Sequence, residues 1–495
     1  MKKDFSPINQ IQGEKKRVKY SQHPFINFNW DGMLPEVELL KGPSKNHRIR
    51  TLLITWNSYL DQTKKNSLKN YLKNSKVVSQ IYLNFNKDHP DRNLYMFREV
   101  LKNVRVSKVF LSHSWVFQKK TANSLKGIWK SIGRFNTLGI SCYMKEDIGL
   151  QIPKHFRTQR IQELTYKSFH SCENPRYFQK IFETFGQHLR TLNLCLLLTN
   201  LKANERSFLL EQISKLSLLR SLQLKISEMD SDDLTIASST IANLSNLETL
   251  TLNSNIACVS KESFSFFTSK LGNCISLKDL SLSLVGLSNL DDGLFDDLAR
   301  SLLSLQKLEG LSLNISQCIN ITDAATTNFP ILLSRLPNLT TFRFSGQELN
   351  ITNEMLNNLS KAILRKPDIL QIHLDFSSTN IDSQALIELG NAIRKLQHLK
   401  NLQLNFESCK NIGNEGYVLL VQSFVTQKEL ESVKLNFNSC SSIGNEGVIV
   451  TANYLLYCKN LREVSLHWRK TEVSRQAVDD VIKGLSKVRF KHVEF

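Results

Sequence analysis

The chain has 495 residues, a hydrophobic fraction of 41% and a formal net charge of +19. That apolar content suffices for a continuous core, and with no run of 18 apolar residues the sequence offers no membrane-spanning helix. Nine cysteines without a C-x-x-C pair point to reduced thiols, and the opening Met1-Lys-Lys-Asp-Phe-Ser-Pro7 has no apolar segment behind it to act as a secretory signal. The expected location is therefore intracellular, cytoplasmic or cytoskeletal, with nucleus or mitochondrion as alternatives; Asp4 and Glu14 speak against a mitochondrial presequence.

The charge is not spread evenly. Residues 1–200 hold 34 Lys and Arg against 14 Asp and Glu, a net of +20, whereas residues 201–495 hold 30 against 31, a net of −1. A neutral stretch with one strongly basic end predicts an acidic partner at that end.

In chain order, residues 1–48 read as a basic tail and cap. Lys15, Lys16, Arg17 and Lys19 form a compact cluster suited to phosphate contact or nuclear import, and of a kind also common in solvated tails. Phe25, Phe28, Trp30, Met33, Leu34, Val37, Leu39 and Leu40 are too apolar for a linker and predict a cover over the open edge of the first strand beyond residue 48.

From residue 49 to the end one phrase recurs, apolar-x-x-apolar-x-apolar. Its central residues are Leu52, Ile81, Val109, Leu138, Leu164, Leu192, Leu222, Leu250, Leu280, Leu311, Phe342, Ile372, Leu402, Val433, Val464 and Val493, sixteen in all, spaced by 26 to 31 residues. A period that steady determines the architecture before any local reading. In Leu247-x-x-Leu250-x-Leu252 the last two leucines alternate with Thr249, Thr251 and Asn253, the period of a strand with one buried face. The period then changes. Leu294, Leu298, Leu302 and Leu305, and later Leu386, Leu389, Ile393 and Leu396, recur at three and four, a single apolar stripe on a helix. Each unit is thus strand, loop, helix and return, and it buries its apolar face only by stacking on its neighbours.

Within the basic part, residues 49–200, the lysines crowd the predicted helices and loops: Lys64, Lys65, Lys69, Lys73 and Lys76, then Lys119, Lys120, Lys126, Lys130 and Arg134. The outward strand positions are mostly small and uncharged, such as Thr51, Gln80, Thr137 and Thr191, with Lys108 and Lys167 as exceptions. Trp115 and Phe117 precede Lys119 and Lys120, and read as filler between strand and helix rather than a stacking platform for bases.

The neutral part, 201–495, carries the sharpest units. Leu402-Gln-Leu404-Asn-Phe-Glu-Ser-Cys409 through Gly416 and Val433-Lys-Leu435-Asn-Phe-Asn-Ser-Cys440 through Gly447 agree at most positions with a shift of 31. These units resemble leucine-rich repeats, and the long period with a full helix is similar to the ribonuclease-inhibitor-like subclass. The resemblance covers roughly residues 49–495. It implies an α/β solenoid, a horseshoe of about sixteen repeats, with parallel strands on the concave face and helices on the convex face. The basic surface of residues 49–200 would then be convex and lateral. Cys318, Cys409 and Cys440 each follow the last strand leucine by five residues, an equal place in the stack that suits a small buried filler. The Gly-Asn-Glu-Gly segments at 413–416 and 444–447 read as a glycine turn, an Asn cap and a first-turn Glu. Phe490, Val493 and Phe495 read as a lightly covered final strand that invites end-on contact.

No phosphate-binding loop, H-E-x-x-H, G-x-S-x-G or metal-ligand spacing occurs, so no catalytic residue, cofactor or metal is expected. The expected function is a non-catalytic protein–protein interaction scaffold, a subunit of a larger assembly that docks an acidic protein surface, such as a cytoskeletal polymer or an organellar or ciliary complex. Its partner-binding residues would be Lys15, Lys16, Arg17, Lys19, Lys64, Lys65, Lys69, Lys73, Lys119, Lys120, Lys126 and Lys130. One alternative is a nucleic-acid-associated protein whose basic half binds RNA or DNA phosphates. A second, implied by the resemblance, is regulation of a small GTPase or a ubiquitin-ligase complex; the basic tail does not look like an F-box.

Overall fold

Strand follows strand in parallel because each is returned to the same edge by a crossover, the connection that parallel pairing requires. The structure is a computed structural model. It describes residues 25–29, 49–56, 78–85, 106–113, 134–142, 160–168, 176–196, 203–226, 229–254, 259–486 and 488–494. The chain divides into two units, Met1–Phe135 and Asn136–Phe495.

In the first unit, β1 (Phe25–Asn29), β2 (Ile49–Trp56), β3 (Val78–Phe85) and β4 (Lys108–His113) pair in parallel, in chain order. Leu52 stands opposite Ile81, and Ile81 opposite Val109, as the period predicts. The segment expected to cover the first edge supplies β1, with Ile26 opposite Leu52.

The second unit runs β5 (Thr137–Cys142), β6 (Glu163–Ser168), β7 (Thr191–Leu196), β8 (Ser221–Ile226), β9 (Thr249–Ser254), β10 (Asp279–Ser283), β11 (Gly310–Asn314), β12 (Thr341–Ser345), β13 (Gln371–Asp375), β14 (Asn401–Asn405), β15 (Ser432–Asn436), β16 (Glu463–His467) and β17 (Phe490–Glu494). All neighbours pair in parallel. From Leu138 to Val464 every central residue faces the next in register. The exception is the last. Val493 lies opposite Leu466, and it is Lys491 that faces Val464. Lys491 is exposed and its ammonium donates to Leu485 O at 3.4 Å, so no buried apolar row sets the register of β17 at that position.

Eleven α-helices are described, all in this unit: α1 (Arg176–Phe185), α2 (Ala203–Ser214), α3 (Ser231–Asn243), α4 (Lys261–Leu271), α5 (Asp292–Leu302), α6 (Phe329–Ser334), α7 (Asn353–Leu364), α8 (Ser383–Ile393), α9 (Asn414–Gln422), α10 (Asn445–Leu455) and α11 (Arg475–Gly484). Most start on a side-chain cap. At α3 the cap is reciprocal: Asp233 N–H donates to Asp230 Oδ1 at 2.9 Å, and Asp230 N–H to Asp233 Oδ2 at 3.3 Å.

The core lies between strands and helices. Leu250, Leu402 and the helical stripe Leu386, Leu389, Ile393 and Leu396 are all buried. Phe329 of α6 meets Phe342 and Phe344 of β12 at ring-centroid distances of 6.3 and 5.9 Å. From Phe344 of β12 a second aromatic file runs on through Phe376, Phe406 and Phe437, each just past the end of its strand, with 5.7, 6.3 and 5.6 Å between consecutive rings.

The open strand face as a candidate interaction surface

Between strand and helix each unit from β10 onward bends on one residue with positive φ: Gly286, Gln317, Glu348, Ser378, Ser408, Ser439 and Lys470. In most of these loops the chain continues to bond to its neighbour. Ser378 N–H donates to Glu407 O at 2.7 Å, Ser408 to Asn438 O at 2.7 Å and Ser439 to Arg469 O at 2.7 Å. The residue ending the strand folds back on its own loop: Asn405 Oδ1 accepts from Glu407 N–H at 3.2 Å and Asn436 Oδ1 from Asn438 N–H at 3.1 Å. Its amide reaches sideways as well, since Asn405 Nδ2 donates to Asp375 Oδ2 at 2.9 Å and Asn436 Nδ2 to Glu407 Oε2 at 3.0 Å.

This construction fixes the open face of the sheet. Its middle row in the second unit includes Gln223, Thr251, Ser281, Ser312, Arg343, His373, Gln403 and Lys434. Burial pushes the His373 imidazole below its ordinary range against the pull of Asp375, with Arg343 adding to the effect, so the full positive charges among these eight are Arg343 and Lys434. Charges along the rim pair with one another. Glu248 accepts from Lys278 and Arg220, both at 2.9 Å, and these partners, Lys278 first, hold its carboxyl below the usual range. Lys434 of the middle row lies 3.0 Å from Glu463, and on the rim Arg462 lies 3.5 Å from Glu431. One acidic spot stands apart: Asp279 lies over Gly310, where a Cβ would come within 2.4 Å of Oδ1, and desolvation followed by the charge of Glu309 pushes its carboxyl upward. The surface is polar and most of its charges are paired, which suits a broad contact rather than a point reaction.

Lys15, Lys16, Arg17, Lys19, Lys64, Lys65, Lys69, Lys73, Lys119, Lys120, Lys126 and Lys130 all lie outside the described residues, as do Trp115 and Phe117. The cysteine reading holds with an addition. Cys318, Cys409 and Cys440 are buried, and each thiol also donates to a carbonyl of the preceding unit, Leu284, Phe376 and Phe406 respectively, at 3.1 Å. Burial pushes the Cys318 thiol up to about 11 and the Cys440 thiol up to about 12, so both stay protonated.

The Gly-Asn-Glu-Gly reading needs correction. Gly413 and Gly444 are themselves the N-caps, in extended backbone, and Asn414 and Asn445 are the first helical residues. The asparagines serve the next unit instead: Asn414 Oδ1 accepts from Gly444 N–H at 2.8 Å and Asn445 Oδ1 from Ser474 N–H at 2.7 Å. Asn353, Ser383 and Asp292 do the same for Asp382, Gly413 and Thr322. A side chain one residue past the cap can reach sideways because the helices start level with one another. The second glycines, Gly416 and Gly447, allow that approach: a Cβ on Gly416 would lie 2.5 Å from Ser383 Cα. Among the described residues one group of side chains has donor atoms close enough together for a metal, His467, His492 and Glu494 on the last two strands. No helix among the described residues is long and apolar enough to cross a membrane.

No family profile matches the sequence, and no curated protein matches it. Solved structures do. The chain is similar to the complex of Rad7 and Elc1 in yeast, with 19% identity over 67% of this chain and 75% of that one and a TM-score of 0.46. It is similar to the TLR13–ssRNA13 complex, with 17% identity over 90% of this chain and 56% of that one and a TM-score of 0.41. It is also similar to a leucine-rich-repeat protein of Leptospira interrogans, with 15% identity over 92% and 98% of the two chains and a TM-score of 0.32. Strand, left-handed loop, helix and return, stacked with the strands in parallel register, give this chain the leucine-rich-repeat fold.

Proposed function

We propose that the chain is a non-catalytic protein–protein interaction scaffold, a subunit of a larger assembly, which docks an acidic protein surface through its basic region, residues 1–200. The observation that carries this reading is the segregation of charge, net +20 in residues 1–200 against −1 in the remainder. A basic surface kept for solubility would have no reason to stop near residue 200. The open face of the second unit supports a protein partner over phosphate, since its cations are few and several are paired with neighbouring carboxylates. Reversing Lys64, Lys65, Lys69 and Lys73 to Glu in the full chain tests it. The expected result is a nuclease-resistant acidic protein partner captured by the parent chain and lost from the variant. Partners released by nuclease, or retained by the variant, would contradict the proposal.

A further inference from the structure

The last strand pair brings together three side chains that no short motif connects. In register, His467 of β16 faces Glu494 of β17, and Ser465 faces His492. His467 Nδ1 lies 3.1 Å from Glu494 Oε2, and His492 Nε2 lies 2.9 Å from Glu494 Oε1. The donor atoms of all three lie within 4.8 Å of one another. Tetrahedral ligands about 2.05 Å from a zinc ion stand roughly 3.3 Å apart; the His492–Glu494 edge through Oε1 is already slightly shorter than that, and no donor pair in the group exceeds 4.8 Å.

The surroundings are those of a ligand set. His467 turns its second nitrogen, Nε2, to Ser465 Oγ at 2.8 Å, which fixes the ring and leaves Nδ1 for the carboxylate side. Arg469 Nε holds Glu494 Oε2 at 3.3 Å and leaves Oε1 free to serve as the oxygen donor beside His492. His467 and Glu494 are half-buried and His492 is exposed, so an ion can enter from solvent.

We propose that His467, His492 and Glu494 form a zinc site that staples β17 to β16. Two imidazoles and one carboxylate favour zinc over magnesium or calcium, which prefer all-oxygen shells. The staple acts on a strand that buries little of itself. It leaves one coordination position for water.

The test uses the full chain, free of affinity tag and stripped with chelator. Calorimetric titration with Zn2+ should show one site per chain that Mg2+ and Ca2+ do not fill, and Co2+ should give the visible spectrum of a tetrahedral complex. His492→Ala, an exposed change that leaves the fold intact by circular dichroism, should weaken Zn2+ at this site by at least about tenfold. Glu494→Gln should do the same, and Zn2+ should slow amide exchange in β17 of the parent alone. Zn2+ uptake that is equal in the parent and both variants, or absent from the parent, would show a hydrogen-bonded His–Glu–His chain only and overturn the proposal.

Discussion

Ser378, Ser408 and Ser439 occupy left-handed backbone, with φ of 57°, 63° and 61°, at a position where Gly286 stands in an earlier unit. A left-handed residue with a Cβ costs about 1–2 kcal/mol, and glycine avoids that cost while adding some disorder to the unfolded chain. Ser408→Gly should therefore raise stability by about 0.5–1 kcal/mol in urea denaturation, while Ser408→Val should lower it. Nearby, the buried thiols of Cys274, Cys318, Cys409, Cys440 and Cys458 should resist a thiol reagent at pH 7 in the native state, read by peptide mapping, and react once urea unfolds the array. The equal offset of Cys318, Cys409 and Cys440 was visible in the sequence. Their donation to a neighbour's carbonyl was not, because that partner lies 33 or 34 residues away and only the stack brings it near.

At the scale of elements, the Gly-x-x-Gly pair makes two different demands. A Cβ on Gly413 would meet nothing closer than 3.7 Å, so Gly413→Ala should cost only the poorer capping of alanine, about 0.5–1 kcal/mol. A Cβ on Gly416 would collide with the Ser383 backbone, so Gly416→Ala should cost about 1–3 kcal/mol. Chemical denaturation of both variants checks the contrast, and equal costs would remove the close-approach explanation. The strand positions from Leu138 to Val464 were legible in the sequence because buried leucines and valines on one face enforce register. Val493 is the exception because Phe490-x-x-Val493-x-Phe495 fits the recurring phrase at all its apolar positions, Val488-x-x-Lys491-x-Val493 breaks it with a lysine, and only the pairing with β16 selects the second. Asn414 and Asn445 were misread as caps because the residue type is right for capping; its actual partner, the next helix's cap N–H, lies one period away.

For the whole molecule, stability should be a sum of neighbour contacts. Leu250→Ala or Leu402→Ala should each cost about 2–5 kcal/mol and speed amide exchange mainly in the adjoining units; uniform loosening of the array would contradict that picture. The fold was legible in the sequence because a period of 26 to 31 residues repeats one physical unit many times. The proposed docking region is legible only as a charge imbalance, since a run of lysines carries no pattern that names its partner. The most direct check of the functional account is the affinity of the isolated full chain for mixed-sequence RNA and duplex DNA, measured by fluorescence anisotropy across ionic strength around about 0.15 M. A protein-docking scaffold should bind both only in the non-specific range, with Kd of roughly 1–100 µM. Binding in the nanomolar range at that ionic strength, with a steep salt slope that the Lys64, Lys65, Lys69 and Lys73 reversal abolishes, would contradict it.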